Sequence, residues 1–386
     1  MTTSRPSDVV VIGAGVVGAA CAYFLARSGL SVTLFERGGV AAGTSSACTC
    51  IMGYGLYADD YERELQSAAI RAYAHLLDEG FDLDYARHGA LVVPTGDGAA
   101  EILDERAVAI RSAGFAPTWI EGSALREAEP ELSHSHDRAL LLPEIAQVSP
   151  MRVALELTQA AGRSGANIVT ESTVSAIKVG AQGVKGVIVN GEAIAAESVV
   201  LAAGVWSRDI AATAGLDVPV FPVRGHVIAT EPVPSLLHHE VVEFRPATKA
   251  PEERDSAIRD LPPIFANVEE LPGGTLLLGG SREVGGYDRN VDPRIVRAIL
   301  ERVVGLVPRV AEVRVVRSFT GLRPWTPDGR PIVGHSVRVR GLAFATGHGG
   351  EGITLSVVTG QLIGELLSGR TTALDLGPLS PQRFGI

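Results

Sequence analysis

The segment Gly13-Ala14-Gly15-Val16-Val17-Gly18 constrains this chain more than any other. It follows a β-rich run, Asp8 to Ile12, and leads into a stretch from Val16 to Ser28 that reads as a helix ended by Gly29; Ser31 to Phe35 reads as the next strand. Such a strand–turn–helix–strand unit uses each glycine differently. The first makes the turn, the second lets the backbone approach a pyrophosphate, and the third lets the helix pack closely on the strand. The helix N-terminus favours the anion by up to about 2 kcal/mol. Glu36, at the end of the second strand, is placed to accept hydrogen bonds from a ribose. A dinucleotide site is expected, and the motif alone does not separate a nicotinamide from a flavin.

The same glycines decide how the apolar N-terminal region reads. Val9 to Ala26 is a run of 18 uncharged residues, which reaches the lower limit for a membrane span and could pass for a signal peptide. A lipid-facing helix has no use for a sharp turn at Gly13, Gly15 and Gly18, so no transmembrane segment is expected. At 386 residues the chain suits two domains. A formal net charge of −10, with no basic cluster, argues against nucleic acid as a partner. Cys21, Cys48 and Cys50 make no disulfide framework and suggest a reducing compartment, with cytoplasmic location the default. Cys48-x-Cys50 with His134, His136, His238 or His239 lacks the paired spacing of a zinc site, so no metal is expected. No Gly-x-Ser-x-Gly elbow suggests a hydrolase.

Further along, helical patterns cover Tyr61 to Glu79 and Asp97 to Ala113, separated by a strand-like Ala90-Leu91-Val92-Val93. Ser149-Pro150 starts another helix, with serine able to cap and proline suited to the first turn. Short strands at Asn167 to Thr170, Val174 to Val179, Gly183 to Val189 and Ser198 to Ala202 read as a meander returning to the main sheet. Phe221 to Leu278 is strand-rich and broken by Pro246, Pro251 and Pro262-Pro263; Pro293 to Val307 is helical. A turn at Pro327-Asp328-Gly329, a strand at Leu342 to Thr346 and a helix from Gly352 to Leu367 end the chain.

Two later blocks bear on the cofactor. One is Val199-Val200-Leu201-Ala202-Ala203-Gly204-Val205-Trp206-Ser207, an apolar strand ending in small residues. The other pairs Gly321-Leu322-Arg323-Pro324-Trp325-Thr326-Pro327-Asp328-Gly329 with Gly347-His348-Gly349-Gly350-Glu351-Gly352-Ile353-Thr354. Over essentially the whole length the chain resembles the D-amino-acid oxidase superfamily of flavoenzymes. The resemblance implies FAD, bound noncovalently because no cysteine lies near Gly321 to tether it. It places Gly13, Gly15, Val16, Val17, Gly18, Glu36 and Arg37 at the nucleotide, with Val174 at the adenine and Ala203, Gly204 and Trp206 beside the cofactor. Thr44, Ser45 and Ser46 resemble the loop at the pyrophosphate, or form a polar turn. Gly347, Gly349, Gly350, Gly352, Ile353 and Thr354 would offer backbone N–H groups near the flavin's pyrimidine side. Arg323 would grip a substrate carboxylate, and His348 could transfer a proton or mainly shape the flavin site. Arg224 resembles a crossing into the substrate domain or is a surface turn residue. Glu351, like His348, could transfer a proton, and Tyr54, Tyr57 and Tyr287 are candidates to line the substrate pocket.

The expected fold is α/β: a Rossmann-type FAD-binding domain of the glutathione-reductase-like variant, with a second, antiparallel-sheet α+β substrate domain. The first would comprise 1–80, 145–222 and 318–386, the second 81–144 and 223–317. The expected activity is oxidation of the C–N bond of a small amino acid or amine by hydride transfer to flavin N5, giving an imine that hydrolyses. Electrons would pass to O2, or to a partner subunit as in hetero-oligomeric opine or hydroxyproline dehydrogenases. A flavin-binding or assembly protein without catalysis is the alternative of another class.

Overall fold

The computed structural model describes residues 7–52, 59–112, 114–246 and 263–386. Tyr54, Tyr57, Pro251 and Pro262 lie outside the described residues.

The first sheet runs Ile332–His335, Leu342–Thr346, Glu192–Leu201, Ser7–Ile12, Val32–Phe35, Asn167–Val169. Its neighbours are parallel except at the Ile332–His335 edge. Interior parallel strands are covered on both faces, which is why Val9–Ile12 and Val199–Leu201 read as unbroken apolar runs and are buried. Val174–Gly180 and Gly183–Val189 form the expected antiparallel meander with the first half of Glu192–Leu201. That strand starts at Glu192, ahead of the apolar run at Ser198, because Asn190 and Gly191 at positive φ (47° and 86°) close a hairpin on Gly183–Val189. Pairing, not side-chain pattern, defines its first half.

Helix Val16–Arg27 ends one residue before the expected Ser28, which is its cap, with Gly29 following at φ 84°. Helix Gly352–Leu367 has the bounds the sequence suggests. The two pack so closely that a side-chain carbon at Gly360 would lie 2.5 Å from the Ala20 carbonyl carbon. Ser149 caps Pro150–Arg163 by accepting from the Arg152 N–H. These helices and Asp60–Asp78 bury their apolar faces in one core with the sheet. No helix of the described residues is long and apolar enough to cross a membrane.

The second sheet runs Glu283–Val284, Phe221–Pro232, Thr275–Ser281, Ile264–Glu270, Glu240–Phe244, Ala90–Pro94, Arg138–Leu142, Thr118–Glu121, with Val315–Trp325 along Phe221–Pro232. Its pairs are antiparallel apart from Glu240–Phe244 with Ala90–Pro94. Helix Pro293–Leu306 covers it, burying Ile295, Ile299, Val303 and Leu306 at helical spacing. We propose the two sheets as the cores of two domains divided as the sequence suggests; strand Val315–Trp325 spans the boundary set at 318.

Candidate active site

The turn after Ser7–Ile12 is closed to side chains. Gly13 sits at φ 103°, and a carbon added there would lie 2.8 Å from Ala202 O; one added at Gly18 would lie 1.9 Å from Gly13 O. Gly15 is the extended residue before helix Val16–Arg27, whose first turn holds no acidic residue and whose Val16 N–H donates to Ser45 Oγ at 3.1 Å. The Glu36 carboxylate is fixed by N–H groups of Ala14 (2.8 Å, to Oε2) and Gly38 (2.9 Å, to Oε1), leaving oxygen lone pairs for hydroxyls. Arg37 lies over the Trp206 ring, 3.6 Å from its centroid, and Tyr287 stacks beyond Trp206 at 6.5 Å.

Gly13, Gly15, Val16, Ser45, Glu36, Arg37 and Trp206 border a cavity of about 420 Å³ that continues to the second sheet. The volume suits a buried organic ligand. The glycine turn, a helix N-terminus with no acidic residue in its first turn and a pinned carboxylate at the end of the second strand fit a dinucleotide with its pyrophosphate at Gly15 and a ribose at Glu36.

All but four of the residues expected at the cofactor, together with Arg323 and His348, border this cavity. Gly18 lies beneath the turn, the Ser46 hydroxyl turns to Gly43 O (3.2 Å), Gly347 packs on Thr326, and Thr354 is buried in its helix. The Gly349 N–H, expected to face the cofactor, instead donates to Pro324 O at 2.8 Å. Tyr287 is half exposed outside the cavity, and its hydroxyl donates to Asp209 Oδ2 at 2.6 Å. Arg224 is no surface turn residue: it is buried in mid-strand and paired with Glu283 and Asp288. Glu351 borders the cavity and accepts from Gln66 Nε2 at 3.3 Å.

At the sheet end, Arg323 projects from Val315–Trp325 and its Nη1 donates to Ser281 O at 2.9 Å. Its guanidinium lies across Gly225 on the neighbouring strand, where an added carbon would fall 2.0 Å from Nη1. His226, fully buried, accepts from the Asp292 N–H at Nε2 (3.0 Å), so Nδ1 carries the proton and donates to Ser281 Oγ (3.0 Å). His348 is buried with Nε2 3.0 Å from Thr359 Oγ1, and burial pushes its pKa down to about 3. It is a neutral imidazole at physiological pH. Cys48 also borders the cavity, its thiol pushed up to about 12 by burial and by Glu269. Among the described residues no group of three His, Cys, Asp or Glu side chains could hold a metal ion.

Sequence reasoning missed Gly225, His226, Ser281, Arg282, Phe265 and Asn267, all on this wall. Two residues along the strand from Asn267 and on the same face, Glu269 forms a buried acid pair with Glu240 of the neighbouring strand. Both Glu269 oxygens accept from the Cys50 N–H (2.9 and 3.0 Å), and Gln147 Nε2 bridges Glu269 Oε1 (2.9 Å) and Glu240 Oε1 (3.1 Å). Burial raises Glu269 to about 7, and burial together with Glu269 holds Glu240 well above the carboxylate range. The folded chain therefore keeps protons that the unfolded chain releases near pH 4–5. Stability falls as pH rises from there through 7, by up to about 1.4 kcal/mol per pH unit for each group. Glu240→Gln keeps the shape without the ionisation. In thermal unfolding between pH 5 and 9 its Tm should fall less steeply than the wild type's and exceed it at pH 8; parallel curves would exclude this pair as the source.

The family model of the FAD dependent oxidoreductases (DAO) matches residues 8–366. The chain is 32% identical to glycine oxidase of Geobacillus kaustophilus over 97% of each chain. It is 28% identical to hydrogen cyanide synthase subunit HcnC of Pseudomonas aeruginosa, over 99% of this chain and 97% of that one. The crystal structure of the Geobacillus kaustophilus glycine oxidase superposes with a TM-score of 0.87, covering 98% of both chains at 29% identity. A match across almost its whole length, with the nucleotide turn and its ribose carboxylate in place, means that the chain belongs to the DAO family of FAD-dependent oxidoreductases.

Proposed function

We propose that the protein oxidises the C–N bond of a small amino acid or amine. The observation that carries this reading is that the Arg323 guanidinium and the nucleotide turn border one cavity. Relatives named for the oxidation of glycine support the same substrate class. FAD, when bound, supplies the acceptor for the substrate's hydride.

The chain's own groups do the rest. Arg323, oriented by Ser281 O, receives the substrate carboxylate and so presents the carbon bearing the amine to the flavin end of the cavity. His348, uncharged and tied to Thr359, holds the shape of the site rather than a transferable proton. The ammonium proton leaves to solvent before the C–H bond breaks, so no base is required of the chain, and the imine product hydrolyses in water. The flavin is held noncovalently.

The test is an anaerobic titration of the purified holoenzyme with glycine, sarcosine, D-amino acids, prolines, hydroxyprolines and opines, following flavin absorbance. Bleaching by at least one is expected, and its reversal on admitting air would identify O2 as acceptor; persistent bleaching would point to a partner electron carrier. A yellow protein that none of them bleaches would replace this reading with a flavin-binding protein that oxidises no amine. Acid precipitation should release the flavin into the supernatant.

A further inference from the structure

We propose that the substrate carries two carboxylates, and that Arg282 receives the second. This rests on the amine-oxidation reading above and names its substrate class. Arg282 follows directly on Ser281, the residue whose carbonyl anchors Arg323, so the Arg323 side chain reaches the end of the strand from which Arg282 leaves, and both arginines border the same cavity. The Arg282 backbone is fixed by its N–H to Pro263 O at 3.0 Å. Its guanidinium carbon lies 5.5 Å from the Phe265 ring centroid and 6.0 Å from that of Trp325. Aromatic contact of this kind orients the planar fork while leaving its N–H donors unspent. No described carboxylate pairs with Arg282, whereas Arg224 on the adjoining strand is tied to Glu283 and Asp288. The acidic side chains that border the cavity, Glu36, Asp209 and Glu351, bond elsewhere.

Asn267 supplies an independent sign that a polar ligand belongs at this wall. It borders the cavity, is 2% exposed, and its Oδ1 has no hydrogen-bond partner. Gly279 opposite leaves it room, since a carbon added there would lie 2.7 Å from that oxygen. A buried amide with an unmet bond is a cost that a ligand's amine N–H removes. Two guanidinium groups and one amide acceptor match an amino or imino acid whose nitrogen lies between two carboxylates. Arg282 is exposed, so solvent weakens its pairing, and the expected effect is about tenfold in affinity, which converts to about 1.4 kcal/mol.

The experiment measures dissociation constants of unreactive acids for the holoenzyme by calorimetry, comparing malonate, succinate and glutarate with acetate, propionate and butyrate. The best diacid should bind about tenfold more tightly than its monoacid counterpart in the wild type, and in Arg282→Met that ratio should fall to about one with flavin content unchanged. A wild-type ratio near one, a ratio that survives in Arg282→Met, or loss of flavin from the variant would each overturn the proposal. The acids bind without reacting, so this outcome is independent of whether any amine bleaches the flavin, which is the test of the parent reading.

Discussion

Replacing Gly225 with alanine is expected to lower kcat/KM by about as much as removing the Arg323 side chain, roughly 10- to 100-fold, because a charge-assisted carboxylate contact contributes about 1.5–3 kcal/mol. The two residues occupy neighbouring antiparallel strands, with Gly225 opposite Gly321 and Val223 opposite Arg323. The arginine reaches diagonally across the glycine, and an alanine carbon there would lie 2.0 Å from Nη1, 2.6 Å from Cζ and 2.7 Å from Nη2. What it collides with is the end of a flexible side chain, so the sheet survives and the guanidinium swings away from Ser281 O. Kinetics with the substrate identified by anaerobic titration should show the loss mainly in KM, as for a contact made equally in ground and transition states. The decisive measurement is the double variant. If Gly225 acts only by placing Arg323, Gly225→Ala changes nothing further in an Arg323→Ala background. Additive losses would mean that Gly225 matters by another route, and unchanged kinetics in Arg323→Ala would remove the carboxylate contact altogether.

The part of the molecule that was legible in the sequence is the part whose contacts are local. Ser7–Ile12, Val16–Arg27 and Val32–Phe35 succeed one another in the chain, so strand, turn and helix signals report directly on the nucleotide turn. The second sheet is assembled from distant segments: Ala90–Pro94 pairs with Glu240–Phe244, and Phe221–Pro232 with Val315–Trp325. Its short members, Thr118–Glu121 and Glu283–Val284, carry no pattern of their own and exist because a neighbour pairs with them. The site divides in the same way. Arg323 stands out within a recognisable run of residues, whereas Gly225, Arg282 and Asn267 acquire meaning only from what lies across the strand from them. Tyr287 illustrates the converse, since an isolated aromatic says nothing about which side of Trp206 it will stack on. Glu240 and Glu269 read as ordinary strand charges, and only their burial beside Gln147 turns them into a source of pH sensitivity.

Gly18→Ala is expected to yield protein that purifies with little or no flavin and whose apoprotein unfolds at lower temperature, whereas Gly15→Ala should lose flavin affinity alone. The difference lies in what each added carbon meets. At Gly18 it would sit 1.9 Å from the Gly13 carbonyl oxygen and 3.3 Å from Ala202 Cβ, so helix Val16–Arg27 has to move off the strand end or the turn has to open. Overpacking against backbone costs about 1–3 kcal/mol or more, and an opened turn no longer presents its N–H groups to a pyrophosphate. At Gly15 the backbone is already extended, at φ −69° and ψ 175°, a conformation alanine adopts freely. Its nearest neighbour would be Ser45 Oγ at 3.2 Å, but the carbon would stand in the cavity itself. Measured on apoproteins, so that bound cofactor does not mask the effect by mass action, Tm should fall for Gly18→Ala and stay near wild type for Gly15→Ala. Fluorescence titration with FAD should show weaker binding in both, by at least about tenfold for Gly15→Ala, or about 1.4 kcal/mol. Full flavin occupancy with wild-type affinity in Gly15→Ala would remove the glycine turn from the cofactor site, and an unchanged apoprotein Tm in Gly18→Ala would show that the helix accommodates the methyl group without leaving the sheet.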